Sequence, residues 1–301
     1  MAAAFVAADG FLIAYSKSAL LDGFLVFFQL LTVYLALGTK GGTGVLLTGA
    51  CWGLAMGIKF SGAVMALPIA VILATRIRPL SRAAVLTVGT GLVAVVVYLA
   101  QFSLGLALAG KPYGFESSMA VTWDLYQHHA RLTDWKNPLT SRWYSWFIPQ
   151  KPIMMYREPD GPYWRVMSSL GNLLLWWSSA VAALTCVLIG VRRGVLQLAT
   201  GERRGSDGLG WLYLGICWLA PLVPWWLSER DSYIYHYLGS YTFALVCLGG
   251  VVEYVSQKFW GLALAFLLAV LLVSAYYAPV WTKTPVSTEQ LERRLFKEEW
   301  R

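Results

Sequence analysis

Charge is scarce in this chain. Asp, Glu, Lys and Arg make up 13% of its 301 residues, well below the roughly one quarter usual for a soluble domain. That shortage excludes an ordinary water-soluble globule. Histidine is rarer still, at three residues, and the four cysteines (Cys51, Cys186, Cys217 and Cys247) lie inside apolar runs without ligand spacing. These thiols read as buried small hydrophobes, with neither a disulfide framework nor a metal site implied. No glycine-rich phosphate loop follows a strand pattern, which argues against nucleotide binding. There is no charged relay within the apolar runs and no visible inverted repeat, so transport is disfavoured. The start, Met1-Ala-Ala-Ala-Phe5, enters apolar sequence without a basic lead. It is a poor signal peptide, and the expectation is that a longer protein precedes it.

What the chain has in abundance is apolar sequence: 57% of residues are hydrophobic and 15% aromatic. Nine runs approach the length needed to cross a bilayer, about 20 residues each: 2–15, 22–38, 44–58, 61–75, 83–108, 170–191, 209–227, 237–252 and 260–279. The predicted fold class is therefore all-α, a polytopic membrane bundle with one large external loop region. The net charge of +8 resides mostly in short loops and reads as cytoplasmic anchoring, with no nucleic-acid partner implied. Lys40 precedes the pair 44–58 and 61–75, and Arg76, Arg78 and Arg82 follow it. The chain must then cross twice between them. Arg192, Arg193, Arg203, Arg204 and Lys258 fall on the same cytoplasmic side. Lys17, Asp22, Lys59, residues 109–169, the Glu229-Arg230-Asp231 turn and the tail fall on the other.

The domain reading follows: 1–108 as an N-terminal transmembrane part, 109–169 as an external aromatic-rich region, 170–279 as a four-span module, and 280–301 as an external amphipathic tail. The external region holds five Trp, five Tyr, seven Lys or Arg and five Asp or Glu, with prolines such as Pro112, Pro138, Pro149, Pro152 and Pro162 that argue against one long helix. Its tryptophans suit a membrane interface and equally suit stacking on sugar faces. In the tail, Ser287-Thr-Glu-Gln290 ahead of Leu291, Leu295 and Trp300 reads as a capped amphipathic helix on the outer surface.

Polar residues cluster at span ends on one face, where charge is expensive. Lys17 and Asp22 are little more than one turn apart, a spacing that suggests pairing or a shared site, against a snorkelling Lys. For Lys59 the structural reading leads: a cation between two short helices that satisfies carbonyls near Gly57 and Gly62. His128 and His129 read as loop residues shaping a groove. Arg230 pairs with Glu229 or Asp231, or faces an anion. With Tyr235, His236 and Tyr237 it makes a donor-rich rim. Trp176 and Trp177 read as packing and interface anchors.

In order along the chain, Ser16-Lys-Ser-Ala-Leu-Leu-Asp22, Gly57-Ile-Lys59-Phe-Ser-Gly62, His128-His129 with Ser141-Arg142-Trp143-Tyr-Ser-Trp146, Gly171-Asn172 with Trp176-Trp177, and Arg230 with Tyr235-His-Tyr237 resemble successive landmarks of the bacterial protein O-mannosyltransferase family. The resemblance implies a GT-C-like bundle of about eleven spans, so that a nine-span chain lacks the first two. It further implies an inverting transfer of mannose from a polyprenyl phosphate carrier to Ser or Thr hydroxyls of exported proteins, at the non-cytoplasmic face of the cell membrane. A lipid-linked donor requires no metal or other cofactor. By the same resemblance Lys17, Arg230 and His236 contact the donor phosphate, Asp22 and Lys59 support it, and His128, His129, Arg142 and Trp143 line the acceptor or sugar groove. Lys17 stands where the family has Arg and offers a point charge in place of a bidentate fork. The family's acidic pair, with its base, has no counterpart in this sequence: Asp22 belongs to another landmark and Asp9 sits within the first apolar run. Two rivals follow, a related lipid-phosphate-sugar glycosyltransferase with another sugar or acceptor, and an inactive lipid-phosphate-binding remnant.

Overall fold

The computed structural model describes residues 1–18, 20–131, 137–200 and 209–300, with side chains in the last turn before residue 201 left aside; Arg203 and Arg204 lie outside the described residues. The fold is helical: α1 (Ala2–Ala7), α2 (Gly10–Lys17), α3 (Asp22–Gly38), α4 (Gly42–Ile58), α5 (Ala66–Arg76), α6 (Leu80–Leu108), α7 (Phe115–Ala130), α8 (Leu173–Thr200), α9 (Gly210–Leu219), α10 (Val223–Leu227), α11 (Leu238–Ser256), α12 (Trp260–Tyr277), α13 (Pro279–Thr282) and α14 (Thr288–Arg294). The sequence reading did not foresee a small antiparallel sheet. In it, β1 (Met154–Asp160) pairs with β2 (Tyr163–Ser168), and β2 with β3 (Val286–Ser287).

Among the described residues, five stretches are long and apolar enough to cross a bilayer: Leu80–Leu108, Leu173–Leu196, Gly210–Leu227, Ile234–Ser256 and Trp260–Tyr277. The chain is a multi-pass membrane protein. The runs expected at 22–38, 44–58 and 61–75 are helical over Asp22–Gly38, Gly42–Ile58 and Phe60–Arg76, each a little under the length of those five. The first expected span is not one helix. Asp9 splits it into α1 and α2, because its Oδ1 accepts from the amides of Phe11 (2.9 Å) and Leu12 (3.2 Å) and so caps α2. Helices of six and eight residues are each far short of a crossing.

α4 lies between α3 and α6 and approaches α6 closely through glycines one turn apart. A Cβ at Gly49 would fall 2.7 Å from the Thr90 carbonyl oxygen, and one at Gly53 would fall 2.5 Å from that of Ala94. Small residues at this spacing let backbones meet where lipid supplies no hydrophobic driving force. Gln101 on α6 seals the contact, its Nε2 donating to the Gly53 carbonyl at 2.9 Å.

The second packing centre is aromatic. Trp176 stacks on Tyr241 at 4.5 Å between centroids, meets Phe11 edge-on at 5.1 Å, and donates its Nε1–H to the Trp146 carbonyl. Trp177 one residue on is half exposed, as an interface anchor would be. Cys186, Cys217 and Cys247 are buried and unbridged, and Cys51 is half-buried. The tail has the expected capping box between Ser287 and Gln290. Its apolar side is covered by protein: Leu291, Leu295 and Trp300 join Val166, Leu170, Val280 and Trp281 in one cluster, and Trp300 donates to the Pro149 carbonyl.

Candidate functional site

Lys59 is placed by two glycines. A Cβ at Gly57 would overlap the Gln101 amide, and one at Gly62 would sit 2.5 Å from the Ala55 carbonyl, so α4 can end abruptly and the 3₁₀ turn Phe60–Met65 can fold back onto it. Trp52 Nε1 donates to the Gly62 carbonyl (3.1 Å), and the Gly62 amide donates to the Lys59 carbonyl (2.8 Å). Lys59 itself is extended. Its ammonium reaches Asp22, the first residue of α3, at 2.7 and 2.8 Å from the two carboxylate oxygens.

This corrects two expectations. Asp22 pairs with Lys59, and Lys59 does more than satisfy nearby carbonyls. Lys17, at the end of α2, is exposed and makes no ion pair among the described residues. Tyr15, two residues earlier, comes within 6.4 Å of Tyr235 between ring centroids. The Lys59 ammonium lies 5.1 Å from the Tyr235 ring centroid, a cation–π distance. The Asp22 side chain is only 9% exposed, but that of Lys59 is 32% exposed, so the cation is the half of the pair that solvent or a ligand reaches.

A second cation stands nearby. The turn that carries Arg230 is held by Ser228, whose hydroxyl accepts from the Arg230 amide (3.1 Å), and by a double link in which Ser141 N donates to Ser232 O and Ser232 Oγ donates to Ser141 O, both at 2.8 Å. Arg230 pairs with neither Glu229 nor Asp231. Its Nη1 meets His129 Nδ1 at 2.9 Å. His128 and His129 are in the last turn of α7, not in a loop. Consecutive helical positions point about 100° apart, so His129 turns inward, 6.0 Å from the Phe60 ring, while His128 is exposed. Burial, then the Arg230 charge, then His128 hold the His129 pKa below its ordinary value. A neutral ring accepting from the guanidinium fits that direction.

His236 is used structurally: its Nδ1 accepts from the Tyr233 amide (3.0 Å), and its ring lies 3.7 Å from Trp225 and 4.2 Å from Tyr235. With Nδ1 an acceptor, a neutral ring carries its proton on Nε2. Tyr233 and Tyr235 stack at 5.5 Å with 6° between planes. The structure therefore gathers Asp22, Lys59, His129, Arg230, Tyr235 and His236 around one rim. Arg142 is an exposed side chain, and Trp143 packs on Trp226. Sequence reasoning missed Phe60, Trp225 and Tyr15, whose apolar character gave no signal that separates them from lipid-facing aromatics.

The rim sets Lys59 and Arg230 among flat aromatic faces, with Asp22 paired to Lys59 and Asp231 beside Arg230 holding a buried oxygen without a hydrogen-bond partner among the described residues. That combination suits an anion joined to a ring-shaped polar group. Asp22 is engaged, and Asp9 is buried beneath four donors, the amides of Phe11, Leu12 and Asn172 and the Tyr241 hydroxyl. Among the described residues no group of three or more His, Cys, Asp or Glu could hold a metal.

Comparison with known proteins identifies the family. A family model described as the C-terminal four TMM region of protein-O-mannosyltransferase matches residues 115–300. Dolichyl-phosphate-mannose--protein mannosyltransferase 4 of Candida albicans is 26% identical over 146 residues, which cover 45% of this chain and 19% of that protein. The chain thus spans about a fifth of the length of this curated relative. Among solved structures, the S. cerevisiae protein O-mannosyltransferase Pmt1-Pmt2 complex bound to the sugar donor matches with a TM-score of 0.51 and 18% identity. That match covers 64% of this chain and 27% of the other, a likeness of fold.

Proposed function

Because the chain belongs to the protein O-mannosyltransferase family, we propose that it forms part of an enzyme that moves mannose from a polyprenyl phosphate carrier to Ser or Thr hydroxyls of exported proteins, with inversion, at the non-cytoplasmic face of the cell membrane. The observation that carries this reading is the convergence of Lys59 and Arg230, 171 positions apart in sequence, on one rim. In the reaction, the acceptor oxygen forms a bond to the anomeric carbon as the bond from that carbon to the phosphate oxygen breaks. The phosphate leaves with the electron pair, and the hydroxyl proton goes to a base. Lys59 and Arg230 stabilise the charge that grows on the phosphate, an effect strongest where water is scarce. The Tyr233 and Tyr235 faces and Trp225 give the sugar a flat support. Lys17, exposed at the end of α2, completes the phosphate's surroundings when the donor is bound, and His128, Arg142 and Trp143 line the acceptor's approach.

Mass spectrometry of exported proteins from cells with and without the gene tests the reading. Hexose on Ser or Thr that disappears with the gene supports it; unchanged glycosylation overturns it. A second reading, an inactive lipid-phosphate-binding protein, is favoured by the engagement of both Asp9 and Asp22, which leaves neither as a base. Retained binding of mannosyl phosphopolyprenol without transfer, in the full-length protein, would select it.

A further inference from the structure

We propose that α7 is an interfacial membrane helix, seated at the boundary of headgroups and acyl chains by Phe115, Met119, Trp123 and Tyr126. These four recur at i, i+4, i+8 and i+11 and are 70%, 45%, 58% and 59% exposed. At 3.6 residues per turn they share an arc of about 80°. A second arc is polar and exposed, with Glu116, Asp124 and His128. The third side faces protein: Ser118 is buried, the Thr122 hydroxyl meets the Tyr98 hydroxyl of α6 at 3.1 Å, and His129 packs on Phe60. A helix with one side on protein, one apolar and one charged is built for three environments.

Its level along α6 identifies the apolar environment as lipid. The Gly114 amide donates to Ser103 Oγ at 3.0 Å, and Thr122 reaches Tyr98. α6 has 29 residues, about 43 Å at 1.5 Å per residue, and outruns a core of about 30 Å by about 7 Å at each end, so Tyr98, ten residues from its end, lies roughly 8 Å below the acyl boundary. α7 therefore runs back beside the bilayer-crossing helix, where its outward face meets membrane in place of bulk water. Trp and Tyr within the arc suit the headgroup level, while Glu116 and Asp124 on the wet side remove any need for anionic lipid. The seat has a consequence for the rim described above, since the last turn of α7 holds His129 and so carries the partner of Arg230 at a fixed depth.

Spin labels at Met119→Cys and Asp124→Cys, in the full-length protein with Cys51→Ser, in phosphatidylcholine nanodiscs, test the seat. Trp123→Cys serves as a second reporter on the apolar arc. Collision rates with oxygen, which concentrates in lipid, and with a water-soluble nickel chelate give a ratio at each label. The ratio is expected to be roughly tenfold higher at Met119 and Trp123 than at Asp124, as for an apolar face buried about 5–10 Å into the boundary. Equal ratios would overturn the proposal, and so would labels at Met119 and Trp123 shielded from both reagents, which would mean that another protein segment or a second copy covers the arc. The measurement reads no transfer, so it stands or falls apart from the proposed activity.

Discussion

Two carboxylates at the inner ends of the first helices meet opposite fates. Asp9 is fully buried and has no cation among the described residues; its Oδ1 accepts the Phe11 and Leu12 amides of α2, and its Oδ2 accepts the Asn172 amide before α8 and the Tyr241 hydroxyl of α11. Asp22 is nearly as buried but makes its bonds to one ammonium, from a lysine still a third exposed. The first arrangement fixes three elements to each other through neutral donors that have nowhere else to go. The second leaves a cation that can trade a carboxylate for another anion at the same rim. One junction is architecture, and the other is a site.

The comparison breaks most visibly at Asp9. Asp9→Ala strands four buried donors, and at roughly 1–3 kcal/mol for each unmade bond, partly relieved by rearrangement, the loss is about 4 kcal/mol. Thermal unfolding in detergent should show it as a large fall in midpoint. Asp9→Asn keeps the cap on α2 but turns an N–H toward the Asn172 amide and the Tyr241 hydroxyl. The hydroxyl can rotate to accept and the amide cannot, so about half of that loss is expected. Equal midpoints for Asp9→Ala and the parent would remove the structural assignment.

At the other junction stability and binding should separate. Lys59→Met leaves Asp22 buried without its cation and costs about 1–2 kcal/mol, below the 3–5 kcal/mol of fully buried pairs because Lys59 is partly exposed. Adding Asp22→Asn should restore most of that stability. It should not restore binding of the polyprenyl phosphate sugar, which loses a charge-assisted contact worth about 1.5–3 kcal/mol, or roughly tenfold to a hundredfold in Kd. Titration of lipid donor into the single and double variants, beside their melting curves, checks both halves. If the double variant bound donor like the parent, Lys59 would be a structural cation and the contrast with Asp9 would collapse.

Much of the bundle was legible because apolar runs and flanking charges obey the bilayer's constraints: α6, α8, α9 to α10, α11 and α12 all lie where the runs predicted. The first run misled because hydropathy averages over Asp9, whereas the backbone responds to a single side chain able to cap two amides. The small sheet was hidden for a similar reason. β1 carries Arg157, Glu158 and Pro159 and pairs through backbone atoms, with β2 packed beneath the tail by Val166. At the rim, residue types were readable and partners were not. Lys17 and Asp22 are near in sequence, but the chain between α2 and α3 does not direct Lys17 to Asp22, and a cation 37 residues further along takes it. The histidine pair was recognisable as functional-looking, yet only the helix makes one inward and one outward.

The last test of the rim is its response to pH. At the rim, His129 faces Arg230 from α7, with His128 beside it, Phe60 across from it and the Lys59–Asp22 pair beyond. Its pKa is lowered by burial and by the Arg230 charge, so the folded state binds its proton less readily than the unfolded chain does. The stabilising contact is complete above the ordinary histidine value of about 6.5 and is lost as pH falls through the lowered value. Acidification should therefore separate His129 from Arg230. Arg230→Gln removes one cause of the depression and should move the His129 titration upward, with burial keeping part of the shift. Carbon-13 chemical shifts of the labelled histidine ring would follow both titrations. An unmoved midpoint in Arg230→Gln would mean that burial alone sets the value and that the guanidinium is free of the ring in solution.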